Sequence, residues 1–256
     1  QSFDDGALAR IGRIHGAAEA RDAVRQAQDA GIGQINLDLM YALPGQDEAA
    51  AMRDLEEAFA LSPSHVSHYQ LTLEPNTLFA AKPPKLPDDD AAWAMQERAQ
   101  AQLGGAGYAQ YEVSAYAKDG ARCAHNLNYW RFGDYLGIGA GAHAKLTNAD
   151  GGIVRSAKKK LPRSYIDGAA SAARLASVDV IPPDQLPFEF MLNALRLDEP
   201  VELAMFESRT GLSRAVLDAP LLRARDRGWV EHEAGQIVTT PLGRRFLNDV
   251  IEEFLP

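Results

Sequence analysis

QINLDLMYALPGQDEAAAMRDLEEAFALSPSHVSHYQLTLE, residues 34–74, decides the architecture. Its opening, 34–43, is an apolar run of strand length, as a strand buried on both faces of a parallel sheet requires. Pro44-Gly45 stops it. Asp47 can cap a helix over 48–61, on which Met52, Leu55 and Phe59 recur at helical spacing. Ser62-Pro63 ends that helix. The pattern then alternates: Tyr69, Leu71 and Leu73 share one face, and His68, Gln70, Thr72 and Glu74 the other. Such a strand either lines a cavity with its polar face or lies wet at a sheet edge.

The flanks repeat this order. Upstream, residues 19–30 place Ala20, Ala23, Val24 and Ala27 on one stripe of a helix closed by Gly31. Downstream, the loop 82–90 leads into a helix over 89–104, carrying Ala92, Met95, Ala99 and Leu103. Residues 108–117 then alternate as a strand. Alternation of strands and helices means βαβ units, hence an α/β sheet or part of a barrel. Sites in such folds gather at the C-terminal strand ends. Asp38, Thr72, Glu74, Glu112 and the stretch 125–143 fall there.

That stretch, HNLNYWRFGDYLGIGAGAH, holds two histidines, two tyrosines, a tryptophan and four glycines without helical or strand periodicity. Rings beside glycine-rich backbone suit a flat ligand. A packed loop joining two domains explains them equally well. Beyond residue 145 the chain changes character. KKKLPRSY (158–165) is basic and reads as an exposed face, and Ile181-Pro182-Pro183 as a boundary. Helices over 185–198, 201–208 and 213–227, a hairpin over 229–240 turning at Ala234-Gly235, and a last helix over 241–254 form a winged-helix pattern.

From 185 to 256 there are 8 Arg or Lys against 12 Asp or Glu, a net of −4, so a phosphate backbone is a poor partner for that domain. The whole chain carries −9, which disfavours nucleic acid and anionic membranes alike. No apolar run approaches the roughly 20 residues of a membrane helix. Cys123 is the single cysteine, so no internal disulfide can form and a cytoplasmic location is expected. QSFDDG has no initiator Met and reads as the tail of a strand, so a fragment of a longer protein is expected.

Asp38 stands inside an apolar strand, where a carboxylate needs a partner. It either hydrogen-bonds a ligand or pairs with a cation such as Arg13. Cys123 and His125, one residue apart, are weak evidence for zinc. His125 can serve as an axial haem ligand, or it is simply hydrogen-bonded in place. The chain contains no phosphate loop, serine nucleophile elbow or HExxH motif.

QSF (1–3), GRIH (12–15), NLDLMYALPGQ (36–46), HYQLTLEPNT (68–77), GYAQYEVSAYA (107–117), CAHNLNYW (123–130) and GDYLGIGAGAH (133–143) closely resemble the HemW family of haem chaperones. These are oxygen-independent coproporphyrinogen III oxidase-like proteins of the radical S-adenosylmethionine superfamily. The resemblance implies the later part of a partial (βα)6 barrel over 1–145, a connecting segment over 146–184, and a winged-helix-like α+β domain over 185–256. It implies S-adenosylmethionine contacts at Gln1, Arg13 and Asp38, with Asp38 on the ribose side and Thr72 and His143 at further positions. HNLNYW resembles the family's HNxxYW signature. That makes His125 the candidate haem residue and haem-iron ligand, with Tyr129 and Trp130 beside it.

The family's CxxxCxxC loop for a [4Fe–4S] cluster has no counterpart here, because one cysteine cannot supply three ligands, so this chain is expected to be inactive in radical chemistry. The implied partners are haem and recipient haemoproteins, with peripheral membrane association and a homodimer both compatible. The alternative is an oxygen-independent coproporphyrinogen III dehydrogenase of porphyrin biosynthesis. Ala42 stands where the family usually has Gly, which would tighten the turn after the strand.

Overall fold

A computed structural model describes residues 1–256, the side chain of His232 excepted. The chain is α/β and divides into two compact units, residues 1–122 and 123–256.

The first unit runs α1 (Asp5–Arg10), α2 (Ala17–Asp29), β1 (Asn36–Tyr41), α3 (Glu48–Ala60), β2 (His65–Gln70), α4 (Leu78–Ala81), α5 (Asp89–Gly105), β3 (Ala109–Glu112) and β4 (Ala115–Ala117). Its sheet has the order β1-β2-β4-β3. The expected helices over 19–30, 48–61 and 89–104 are present within two residues at either end. Asp47 and Asp88 cap α3 and α5 by accepting from Ala50 N–H and Ala91 N–H. Leu39, Tyr41, Met52, Leu55, Val66, Met95, Leu103 and Tyr116 form one buried core.

Four expectations are corrected here. β1 and β2 are parallel, but the rest of the sheet is antiparallel. Residues 108–117 are not one strand. They fold back as β3 and β4, with a register shift between Gln110 and Glu112, and Glu112 Oε1 accepts from Ser114 N–H at 3.1 Å in the turn. The faces of β2 are also reversed. His68 lies buried, stacked on Tyr41 at 4.7 Å, and the strand ends before Thr72. Tyr69 stands instead with His65 and Ser67, in register with Asn36, Asp38 and Met40 of β1. Asp38 is exposed on that face, not buried as its apolar neighbours suggested.

Ala42, 1% exposed, follows β1 with φ 56°, in the left-handed region. An L-residue there costs about 1–2 kcal/mol, and glycine's greater freedom in the unfolded chain offsets part of any relief. Ala42→Gly is therefore expected to raise stability by about 0.5–1 kcal/mol. A thermal melt with no upward shift would refute this.

The second unit runs α6 (Ala124–Trp130), β5 (His143–Thr147), β6 (Ile153–Lys158), α7 (Pro162–Asp167), β7 (Leu175–Val180), α8 (Leu186–Ala194), β8 (Val201–Glu202), α9 (Leu203–Thr210), α10 (Asp218–Asp226), β9 (Val230–Glu233), β10 (Gln236–Thr239), α11 (Pro241–Arg245) and α12 (Leu247–Glu252). β5, β6 and β7 form one antiparallel sheet, and β8, β10 and β9 another. The β9–β10 hairpin turns at Ala234 and Gly235, both at positive φ.

The boundaries at 145 and 184 do not coincide with these units. Residues 146–184 are not a connector, since β6 and β7 complete a sheet begun by β5. Ile153 of β6 and Phe132 share one buried cluster with Phe190, Phe206 and Val250. Phe132 and Phe190 meet edge to face at 5.6 Å, and Phe190 and Phe206 at 5.3 Å. A shared apolar core is what joins these segments into one unit.

Candidate functional site

The residues expected on the S-adenosylmethionine side fall in both units. In the first unit, Gln1, Arg13 and Asp38 gather around Tyr69. Burial first, and then the Asp38 carboxylate, raises the Tyr69 hydroxyl above its ordinary pKa, while Arg13 and a hydrogen bond with Gln1 oppose this. The Gln1 carbonyl also accepts from Met40 N–H at 2.9 Å, which ties the start of the chain to the edge of β1. Asp38 makes no ion pair with Arg13 among the described residues. Its Oδ1 accepts from Asn36 Nδ2 at 2.7 Å. Thr72 lies past the end of β2, exposed, and donates to Glu74 Oε1 at 2.9 Å.

Asn36, His65 and Tyr69 were missed by sequence reasoning. Their signal was the period-two spacing of Asn36 with Asp38, and of His65, Ser67 and Tyr69. The parallel register then places Asn36 beside His65 and Asp38 beside Ser67.

In the second unit, HNLNYW forms most of α6, a seven-residue helix too short to show periodicity. The His125 ring is exposed in its first turn and stands edge-on to Tyr129 at 4.6 Å. Tyr129 in turn meets Tyr135 at 4.3 Å. Trp130 Nε1 is buried and has no hydrogen-bond partner among the described residues, and the Arg196 guanidinium covers its ring at 4.4 Å. An exposed imidazole beside tyrosine rings has the donor chemistry that haem iron takes.

After α6 the chain is pinned. Lys145, only 3% exposed, donates from Nζ to Phe132 O at 3.0 Å and to Asp134 Oδ1 at 2.9 Å. Asp134 also accepts from Thr147 N–H and Oγ1. Tyr135 and Lys145 exchange backbone hydrogen bonds at 2.9 and 3.1 Å. Gly137 packs so closely on the His143 main chain that a Cβ there would lie 2.1 Å from the His143 carbonyl oxygen. His143 is exposed and opens β5. A [4Fe–4S] cluster does not fit this chain's residues. Cys123 is the single cysteine, and no three His, Cys, Asp or Glu gather as a metal site among the described residues. No helix among them is long and apolar enough to cross a membrane.

Comparison with known proteins places this geometry. Over 99% of this chain and 62% of the other, the structure superposes on that of Escherichia coli coproporphyrinogen III oxidase (HemN), described as a radical SAM enzyme, with a TM-score of 0.80. At 18% identity this shows the fold alone. The HemN C-terminal domain family matches residues 181–246. Across the whole chain, 49% of residues are identical to heme chaperone HemW of Haemophilus influenzae and 47% to heme chaperone HemW of Escherichia coli. The chain spans 66% of the length of each of these relatives. The fold is thus the α/β fold that HemN also adopts. The chain belongs to the HemW family of haem chaperones.

Proposed function

We propose that the protein binds haem through His125, with Tyr129 and Trp130 beside it, and passes haem to recipient haemoproteins in the cytoplasm. The observation that carries this reading is the exposed His125 imidazole at the head of α6, edge-on to Tyr129, in a chain 49% identical to a haem chaperone. S-adenosylmethionine is held by Gln1, Arg13 and Asp38, which the structure gathers around Tyr69. Thr72 of the same unit contributes a further contact. When bound, that cofactor supplies a charged sulfonium and a ribose, and an exposed carboxylate at Asp38 suits the ribose hydroxyls as hydrogen-bond donors. The [4Fe–4S] cluster belongs to the part of the relatives' length outside this match.

We read the first unit as the later strands of a partial (βα)6 barrel. Residues 185–256 are read as winged-helix-like, on the strength of three helices followed by the β9–β10 hairpin.

Hemin titration of the full-length protein tests the haem assignment. His125→Ala is expected to lose the wild-type Soret shift and to bind hemin about tenfold more weakly, the loss of about 1.4 kcal/mol of coordination. A variant with unchanged Soret band and affinity would remove His125 from the site.

A further inference from the structure

A directed hydrogen-bond chain runs beneath Asp38 on the face it shares with Tyr69. Asn36 Nδ2 donates to Asp38 Oδ1 at 2.7 Å. Asn36 Oδ1 lies 2.6 Å from His65 Nδ1 and accepts from Ser67 Oγ at 3.1 Å. His65 Nε2 lies 2.8 Å from the Tyr111 hydroxyl. His65 and Tyr111 are buried, at 6% and 2% exposure, whereas Asn36 and Asp38 are exposed.

The direction of this chain follows from its outer end. An ionised carboxylate can only accept, so the Asn36 amide must turn its NH2 toward Asp38. Its carbonyl then faces His65 and must receive a proton from Nδ1. A neutral imidazole carries one N–H, so Nε2 is left as an acceptor for the Tyr111 hydroxyl. Burial favours that neutral ring, lowering the His65 pKa against the pull of Asp38. Every hydrogen bond in the series is compatible with one protonation pattern.

We infer that Tyr111, His65 and Asn36 form a positioning chain that fixes the Asp38 carboxylate for a ribose diol. The inference rests on the reading of Asp38 as a ribose contact. Asp38 is exposed and makes no ion pair with an arginine among the described residues, so without Asn36 its carboxylate would sample several rotamers. A carboxylate held in one orientation gains more from a diol than a mobile one. The chain thus acts on the selectivity for ribose hydroxyls, and the buried Tyr111–His65 end anchors an exposed outer end.

The experiment compares the affinity of the full-length protein for S-adenosylmethionine and for its 2′,3′-dideoxyribose analogue. Wild type should prefer the natural cofactor, and Asp38→Ala should abolish that preference. Asn36→Ala and His65→Phe should cut the preference about fivefold while changing analogue binding little, as expected for about 1 kcal/mol of hydrogen-bond orientation. Tyr111→Phe should have the smaller effect. If Asp38→Ala leaves the preference intact, the ribose reading of Asp38 fails. If Asp38→Ala abolishes it but Asn36→Ala and His65→Phe do not, or weaken both ligands equally, the positioning chain fails alone. The second readout is 15N NMR of the imidazole, which should show a neutral His65 protonated at Nδ1. The Nε2–H tautomer would overturn the inference.

Discussion

Asp134→Ala is expected to destabilise the second unit by about 2–3 kcal/mol. Lys145 is almost completely buried, and Asp134 is its only carboxylate partner among the described residues. Burial pushes the Lys145 ammonium pKa down, and the Asp134 hydrogen bond and charge oppose that. At Asp134 burial acts upward, but hydrogen bonds from Lys145 and Thr147 and the Lys145 charge outweigh it and hold the carboxyl low. Removing Asp134 leaves a buried cation with main-chain carbonyls and the Phe132 ring but no counter-charge, and takes the acceptor from the Thr147 N–H. A dry pair broken in this way costs about 3–5 kcal/mol. The estimate is reduced because the Asp134 side chain is 40% exposed. Lys145→Met removes the charge with its partner still able to face water, and should cost about 1 kcal/mol or less. Urea unfolding of the two variants checks the order. A larger loss for Lys145→Met than for Asp134→Ala would show that the lysine stem, not the ion pair, does the stabilising.

Acid should weaken the first unit through His68. The ring is 5% exposed and stacked on Tyr41, and burial lowers its pKa from 6.5 to about 4. The folded value lies below the unfolded one, so the unfolded chain binds the extra proton. The His68 contribution is therefore fully present above about pH 6.5 and is lost as pH falls toward 4. Across that window the loss is about 3 kcal/mol. His68→Phe preserves a ring against Tyr41 and removes the titration. The difference between wild-type and variant stability, followed by urea unfolding from pH 7 to pH 4, should carry this slope. A flat difference would mean that the buried ring is not forced to stay neutral.

α3 and α5 were legible in the sequence from their 3.6-residue repeats, and β1 from the strand length of its apolar run and the Pro44-Gly45 stop that bounds it. The β3–β4 reversal was not. Residues 110–115 alternate straight across the turn, and Val113-Ser114 contains neither Gly nor Pro. The face of β2 was misjudged for a related reason. Residue polarity suggested that His68 faced outward, but its stack on Tyr41 makes it core, and register, not hydropathy, puts Ser67 and Tyr69 with the buried His65 on the opposite face. Gln1, Arg13, Asp38 and His125 were reached through family resemblance. Composition gave only an apolar strand with one acid and a loop rich in rings and glycine. Asp38 is bonded to Asn36, and the next partner in that series, His65, lies 29 residues beyond Asn36, where only strand pairing reveals it.

The segment between Asp134 and Lys145 is fastened at both ends. Asp134 is bonded to Lys145 and Thr147, Tyr135 and Lys145 are paired through their backbones, and Gly137 lies against the His143 main chain. Leu136 and Ile138, on either side of Gly137, are 74% and 87% exposed. Such a segment tolerates change in what its exposed side chains are, but not in how many residues separate its anchors. A single insertion or deletion there would slip the Tyr135–Lys145 pairing by one residue and turn Lys145 away from Asp134. Length, not composition, is the quantity that drift in this loop must preserve.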